Sequence, residues 1–291
     1  LQGVAAAEVS KCRFLDNYAS GGSIPNPDKS PWGTAGIGGG IYVEDSPGFN
    51  LNGNTFTFNV AQSAPNMFNK GSGGGGAFVV NSSQADIGSN TFDRNTAGFS
   101  GTGFGGGLAV IKGNGYPDDV TGITVYSNTF SQNWGTVTNR IGAAGGGLYA
   151  YGIDESEVTS NTFTANVANA EGDGLMQMAP FPFGGGLGLQ RLYRVRVANN
   201  RFEDNVATIG GGGLGGGVGV RAEKGIATTD INIVDNLFLR NLGDGGMIGD
   251  GRGGAISVSQ GQWITVAHNV MIGNSGVLTT DLEPEKASSV I

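Results

Sequence analysis

Short apolar segments recur along this chain, each of them directly after a run of glycines. In most of them a large apolar residue alternates with a smaller or more polar one, which is the two-residue period of a half-buried β-strand. Helical spacing does not occur, and glycine at this density would weaken a helix by roughly 1 kcal/mol per interior residue relative to alanine. The pattern predicts strands at Ile41–Val43, Ala77–Val80, Leu108–Val110, Leu148–Ala150, Leu187–Leu189, Val218–Val220 and Ile256–Val258.

A second strand and a polar motif follow the glycine runs. The second strands are β-branched, as in Ile123–Val125, Val195–Val197, Ile231–Ile233 and Ile264–Val266. The motif Asn-x-Phe-x-x-Asn comes next, and its Phe position recurs at intervals of 33 to 42 residues. That position holds Phe14, Phe56, Phe92, Phe130, Phe163, Phe202, Phe238 and Met271. A period of about 37 residues is the signature of a repeat architecture.

The spacing shows which part of the repeat is constant. In five repeats the first Asn lies 13 positions after the first residue that follows the glycines, whereas the repeats starting at Leu108 and Val218 need 20 and 18. The step from the last Asn to the next glycine run varies from 10 to 21 positions. A constant rung of three strands with one variable corner is typical of a solenoid, whose insertions collect on one side, frequently the binding side.

Stacking of such rungs accounts for the repeated residue types. Adjacent coils lie about 4.8 Å apart, so equivalent side chains lie above one another. Buried Asn amides can then bond to one another as ladders, and aromatic rings can stack. One predicted ladder comprises Asn54, Asn90, Asn128, Asn161, Asn200, Asn236 and Asn269. The other comprises Asn17, Asn59, Asn95, Asn133, Asn166, Asn205, Asn241 and Asn274. We expect the glycines to provide a corner with positive φ or close approach between coils.

These motifs resemble the repeats of the polymorphic outer membrane proteins of chlamydiae, which pair Gly-Gly-Ala-(Ile/Leu/Val) with Phe-x-x-Asn. Gly253–Ile256 matches the first motif in full, and Phe-x-x-Asn is intact in seven repeats. The resemblance covers nearly the whole chain. It implies an all-β fold, a right-handed parallel β-helix of the pectin-lyase-like class with seven to eight coils, and a secreted or surface-displayed, often adhesive, protein. A Kelch-type propeller is the main alternative, although its repeats are usually nearer 50 residues, and leucine-rich repeats are shorter.

Composition narrows the function classes. The net charge is −8 and only 14% of the residues are charged, so the basic density that nucleic-acid binding requires is missing. No apolar run has the length of a membrane-spanning helix. The single cysteine, Cys12, excludes an internal disulfide and is expected to be a small buried apolar residue.

Two long variable corners carry the candidate binding residues. The corner from Tyr18 to Ile37 is rich in proline, and the corner from Val167 to Phe183 is rich in Met, Pro and Phe. Apolar residues on the variable side of a solenoid indicate a contact surface, although these loops could equally fold down over the coils. The candidate residues are Trp32, Met176, Met178, Phe181 and Phe183.

Catalysis by this chain is the alternative hypothesis, since pectate lyases and polygalacturonases are β-helices and a fold does not fix a function. Glycoside hydrolysis needs two carboxylates about 5–10 Å apart. The available acids are Asp118, Asp119, Asp154, Glu155, Asp244 and Asp250. The one histidine, His268, precedes a ladder Asn, where a surface-facing strand position is expected. The glycine-rich segment Gly243–Arg252 also invites a calcium site, but it lacks the alternating ligands of an EF-hand, and no cofactor is expected.

The sequence therefore predicts a single β-helix domain over residues 1–274, with an irregular cap or linker over 275–291. Because the chain starts and ends inside the repeat, we expect a piece of a longer solenoid. The favoured function is a non-enzymatic extracellular or cell-surface protein. It would present its variable loops to other subunits, cell-surface ligands or glycans, or stack into a homo-oligomer or filament through uncapped strand edges.

Overall fold

The computed structural model describes residues 1–20, 36–62, 72–99, 103–113, 120–137, 143–169, 182–210, 212–222, 228–244, 251–259 and 261–277. All regular structure in these ranges is β-strand. Each strand pairs in parallel with its equivalent one coil away, so the chain winds as a parallel β-helix. The predicted fold class is confirmed, and strands from up to eight coils stack in one sheet.

The first sheet contains the strands that follow the glycine runs, and the second contains the β-branched strands. The first sheet comprises Ile41–Glu44, Ala77–Val80, Leu108–Ile111, Leu148–Tyr151, Leu187–Gln190, Val218–Arg221 and Ile256–Ser259. The second comprises Glu8–Ser10, Asn50–Asn52, Asp86–Gly88, Val120–Thr121, Thr124–Tyr126, Ile153–Thr159, Tyr193–Ala198, Thr228–Val234 and Gly261–Ala267.

The third sheet carries the Phe position. Its strands are Arg13–Leu15, Thr55–Thr57, Thr91–Asp93, Thr129–Ser131, Thr162–Thr164, Arg201–Glu203, Leu237–Leu239 and Val270–Ile272. Registration is strict, because each Phe pairs with the Phe of the next coil.

A fourth strand per coil is the main departure from the predicted three-strand rung. These strands are Tyr18–Ser20, Val60–Gln62, Trp134–Thr136, Val167–Asn169, Val206–Thr208, Leu242–Asp244 and Ser275–Val277. Single bridges at Thr96 join the first two of them to the other five. The prediction placed this stretch in the variable corner, although Val-Ala after the second Asn of three repeats carries a strand signal. Two further short strands, Ser72–Gly73 and Gly103–Phe104, pair just before the glycine corner.

The interior is a column of stacked phenylalanine rings. Consecutive rings from Phe14 to Phe238 have centroids 4.6 to 4.9 Å apart and planes within 6° of parallel. Valine, leucine and isoleucine from the first and second sheets surround this column as one continuous core. The predicted Phe stack is thus confirmed.

Both predicted Asn ladders are present. In the first, Asn161 Oδ1 accepts from the backbone N–H and Nδ2 of Asn128, at 2.9 and 3.0 Å. Asn161 Nδ2 in turn donates to Oδ1 of Asn200 and to the backbone oxygen of Val125. The second ladder repeats this arrangement from Asn17 to Asn274. Each interior amide is therefore satisfied, which removes the penalty of about 1–3 kcal/mol for an unpaired buried polar group.

A residue with left-handed backbone precedes the ladder positions, and it turns the corner there. In the first column the residues are Lys11, Gly53, Ser89, Ser127, Ser160, Asn199, Asp235 and His268, with φ from 53 to 67°. In the second they are Asp16, Phe58, Arg94, Gln132, Ala165, Asp204, Arg240 and Gly273, with φ from 49 to 64°. The sequence predicts positive φ only at the glycine runs, because most residues of these two columns are not glycine.

The glycine corner combines both roles expected of it. In the triplet at Gly145, the first glycine has φ +61°. The second, Gly146, has no room for a side chain, since a Cβ would lie 2.5 Å from the backbone oxygen of Gly185 and from the carbonyl carbon of Val167. Close approach of coils therefore excludes any larger residue at this second position.

The repeat also extends past the predicted domain end. Ser275–Val277 pairs with Leu242–Asp244 as a strand of the fourth sheet. The β-helix consequently includes the first three residues of the segment expected to be irregular, and residues 278–291 lie outside the described ranges.

Candidate functional site

Most of the predicted loop residues lie outside the described ranges. Trp32, Met176, Met178 and Phe181 belong to this group. Phe183 is described and is only 5% exposed. Its ring packs edge-on against Tyr149, with centroids 6.3 Å apart and planes at 68°. Phe183 thus anchors the returning end of its loop and turns its ring away from solvent.

Phe183 belongs to a second apolar cluster on the outer face of the first sheet. Its buried members are Phe78, Val80, Ala109, Ile111, Ala144, Tyr149 and Phe183. The hydroxyl of Tyr149 donates to Oε1 of Gln190 at 2.9 Å. Each variable corner returns to the column at this cluster, through parallel bridges at Ile37, Gly73, Phe104, Ala144, Phe183, Leu214 and Arg252. All seven variable segments therefore re-enter the solenoid along a single line.

The candidate catalytic groups do not assemble into one site among the described residues. Asp118, Asp119 and Asp250 lie outside the described ranges. Asp244 is buried in the fourth sheet, where Oδ2 accepts the backbone N–H of Gly212 at 2.8 Å. Asp154 lies on the second sheet, in a different part of the surface.

His268 is exposed, as expected, but it occupies a corner and not a strand. Its side chain is 82% exposed, and Nδ1 lies 3.7 Å from Oδ1 of Asp235. Both residues line a shallow surface depression of about 460 Å³ together with Arg201 and Val270. This histidine belongs to the left-handed column before the first Asn ladder, which fixes its outward direction.

Cys12 does not have the buried position that the sequence analysis expected. The thiol is exposed, and Sγ donates to the backbone oxygen of Ser10 at 3.2 Å. Cys12 takes the place of the ladder Asn in the first described coil, where its backbone N–H donates to Oδ1 of Asn54. Within the described part of the chain, Cys12 has a neighbour in the first Asn ladder on one side only, at Asn54.

The second sheet carries a further site, which the sequence analysis missed. Its strands turn a corner at Glu155, Arg194, Asp230 and Trp263, which have left-handed backbone with φ of 46 to 56°. The register of the flanking pairs places these four residues in one column across successive coils. Three of them, Arg194, Asp230 and Trp263, line a shallow pocket of about 480 Å³ together with Asp154, Tyr193 and Thr229.

An ion pair organises the polar side of this pocket. Arg194 Nε donates to Oδ1 of Asp154 at 3.0 Å, and its Nη2 donates to Oδ2 of the same carboxylate. Glu155 Oε1 lies 3.2 Å from the same Nη2. The hydrogen bond with Asp154 is the main reason why the pKa of Arg194 is raised above its ordinary value. The bidentate pair fixes the plane of the guanidinium, which specifies geometry as well as charge.

Trp263 forms the apolar side of the pocket, and it lies in the last described coil. The side chain is 80% exposed, the largest exposure among the described large apolar residues. Its positive φ is the corner geometry that Glu155, Arg194 and Asp230 share in the preceding coils. The sequence contains only a weak signal for this site, since its residues come from four coils and belong to no repeated motif.

A metal site finds no support among the described ranges. No group of three or more His, Cys, Asp or Glu side chains lies close enough to hold a metal ion there. Within Gly243–Arg252, the central residues 245–250 are outside the description, so the calcium hypothesis stays untested.

Comparison with protein families gives one match. The model for the right handed beta helix region matches residues 116–282, which is more than half of the chain. Comparisons with curated proteins and with solved structures return no match. The part of the chain described by the structure contains no helix that is long and apolar enough to cross a membrane.

Proposed function

The chain belongs to the right-handed β-helix family, and on this basis we propose that it is a non-enzymatic extracellular protein whose rigid column displays variable loops for adhesion. The observation that carries the proposal is the single line of bridges from Ile37 to Arg252, where every variable segment re-enters the solenoid. The described residues that follow the seven variable segments therefore lie along one edge of the column. Insertions gathered on one face of a repeat protein are often its binding face.

The construction of the column supports this role. The Asn ladders and the Phe stack continue through coils whose loops differ in length, so loop changes leave the interior unaltered. The separation of a constant interior from a variable edge suits a surface protein that meets different ligands. The resemblance to chlamydial surface-protein repeats agrees with an extracellular location.

The polarity of the ladders supports a structural variant of the same proposal. In both ladders the amide of each coil donates to Oδ1 of the following coil. Among the described coils, only the second ladder has an amide in both the first and the last coil, at Asn17 and Asn274. Oδ1 of Asn17 could accept from an amide of the same type as Asn274 Nδ2, so a second subunit could extend that ladder. Sedimentation velocity over a hundredfold range of concentration tests this variant: head-to-tail growth is expected, and a monomer throughout would exclude it.

Loop replacement tests the adhesive proposal directly. Residues 170–181 would be exchanged for a short Gly-Ser linker, with Val167–Asn169 and Phe183 retained so that the fourth sheet and the outer cluster stay intact. Binding to host or neighbour cells and to a glycan array is expected to fall, while far-UV circular dichroism stays unchanged. The matched control replaces the exposed Ser160 by Asn, the residue type at the equivalent Asn199. Absence of binding by the wild-type protein to every surface tested would refute adhesion.

A further inference from the structure

We infer that the pocket between Trp263 and Asp154 is a binding site for a neutral glycan, separate from the variable loops. The inference rests on the proposed adhesive role and adds a second contact surface with a defined ligand class. The pocket lies at the left-handed corner of the second sheet. The loop edge, in contrast, lies beside the first sheet.

The aromatic residues give the first reason. Trp263 exposes most of its ring system, and Tyr193 lines the same pocket two coils away. Burying a large aromatic surface is favourable, so a ligand that covers the indole face of Trp263 in the pocket gains binding free energy. The axial C–H bonds of a pyranose ring form an apolar face that matches an indole ring.

The polar groups give the second reason. A sugar ring surrounded by hydroxyls needs donors and acceptors side by side, and the pocket has both. Arg194 provides N–H donors, whereas Asp154 and Asp230 provide carboxylate acceptors. The Asp154 side chain is only 13% exposed, and its bidentate pair with Arg194 keeps both groups oriented before a ligand arrives. Such preorganisation lowers the entropic cost of binding.

The charge balance selects neutral glycans. Asp154, Glu155 and Asp230 are three carboxylates around one guanidinium, Arg194. A uronate or sulfated sugar would bring a further negative charge into this excess and would be repelled. A cationic ligand over Trp263 would meet the fixed charge of Arg194. A neutral polysaccharide avoids both costs.

Affinity electrophoresis in native gels tests the inference. The gels would contain galactomannan, xyloglucan or hydroxyethyl cellulose as neutral probes, and polygalacturonate as the anionic probe. The wild-type protein is expected to be retarded by at least one neutral probe and not by polygalacturonate. Trp263→Ala should weaken retardation about tenfold or more, because stacking aromatic residues are typical hot spots. Trp263→Phe should retain part of it. Arg194→Ala should also weaken it.

The control variant and the loop variant separate this inference from the proposed function. Tyr18→Ala removes another exposed aromatic residue, on the fourth sheet of the first coil, and should leave retardation unchanged. Unchanged retardation of Trp263→Ala, preferred binding of polygalacturonate, or no retardation by any neutral probe would each overturn the inference. In those cases the adhesive proposal still stands or falls by the loop replacement. Thermal unfolding of every variant verifies that the column is folded.

Discussion

Nδ2 of Asn128 donates a 3.0 Å hydrogen bond to Oδ1 of Asn161, and both side chains are 1% exposed. Replacing Asn161 by Ala would remove the acceptor of both the backbone N–H and Nδ2 of Asn128, whereas Asn200 Oδ1 would keep the backbone N–H of residue 161. At about 1–3 kcal/mol for each unsatisfied buried group, we expect a loss of roughly 3 kcal/mol or more in the free energy of unfolding. Urea unfolding, monitored by circular dichroism, measures this loss in the free energy of unfolding.

The same substitution at Asn269 is the matched control. Asn269 accepts from Asn236 but lies in the last described coil and is half-buried. Asn269→Ala should therefore cost clearly less than Asn161→Ala. Equal losses at the two positions would mean that burial does not set the strength of the ladder.

The Phe stack gives a second prediction. Phe163 lies 4.7 Å from Phe130 and 4.7 Å from Phe202, and it is fully buried. Phe163→Ala should cost about 3–5 kcal/mol, because it opens a cavity in the column. Phe58 is the control, since it is 46% exposed and contacts Arg94 only through its ring face. Phe58→Ala should cost less than about 1 kcal/mol, and a similar loss at both sites would contradict the stacked core.

The glycine corner gives a third prediction. Gly146→Ala would place a methyl group 2.5 Å from backbone atoms of the neighbouring coil and should destabilise the fold by at least about 2 kcal/mol. Gly53→Ser should be nearly neutral, although Gly53 has φ +67°, because Ser89, Ser127 and Ser160 occupy the same column with similar φ. Comparison of the thermal unfolding midpoints of the two variants distinguishes the effect of close packing, tested by Gly146→Ala, from the effect of positive φ, tested by Gly53→Ser.

A pH-dependent prediction concerns Glu203. Hydrogen bonds from Arg201 and then from Arg240 lower its pKa below the ordinary value of 4.5. A lowered folded-state pKa means that the stabilisation is complete above pH 4.5 and is lost as the pH falls through the folded-state pKa. Glu203→Gln should therefore reduce the drop in melting temperature between pH 6 and pH 3. Since these groups are exposed, 1 M salt should reduce the effect. An unchanged drop would show that Glu203 contributes nothing.

Regular repetition explains why so much of the interior was predictable. Phe163 and Asn161 have equivalents in the other coils, and each contacts the residue of the same type in the next coil. The repeat pattern in the sequence therefore identifies both members of each contact. The fourth strand was missed because the residues after Asn166 and Asn205 vary in side-chain type beyond Val-Ala. The left-handed corners were missed because residues such as Arg94 and Asp204 carry no positive-φ signature of their own.

The candidate glycan pocket could not be predicted from the sequence, for the opposite reason. Tyr193, Asp230 and Trp263 each occur once at their positions in the repeat, and only the stacking of coils brings them together. No periodic pattern marks them. Burial of Phe183 was equally hidden, since a Phe at the end of a proline-rich loop could face the solvent or pack on the column.

The parallel pairing has a mechanical consequence for an adhesive protein. Every interstrand hydrogen bond and both Asn ladders run from one coil to the next, along the axis. A force that pulls the two ends apart along this axis meets those bonds one coil at a time, so rupture force should be independent of the number of coils. Single-molecule stretching would show steps that each release one coil of 33 to 42 residues. The column would thus lengthen under load in small increments and limit the tension that reaches the bound surface.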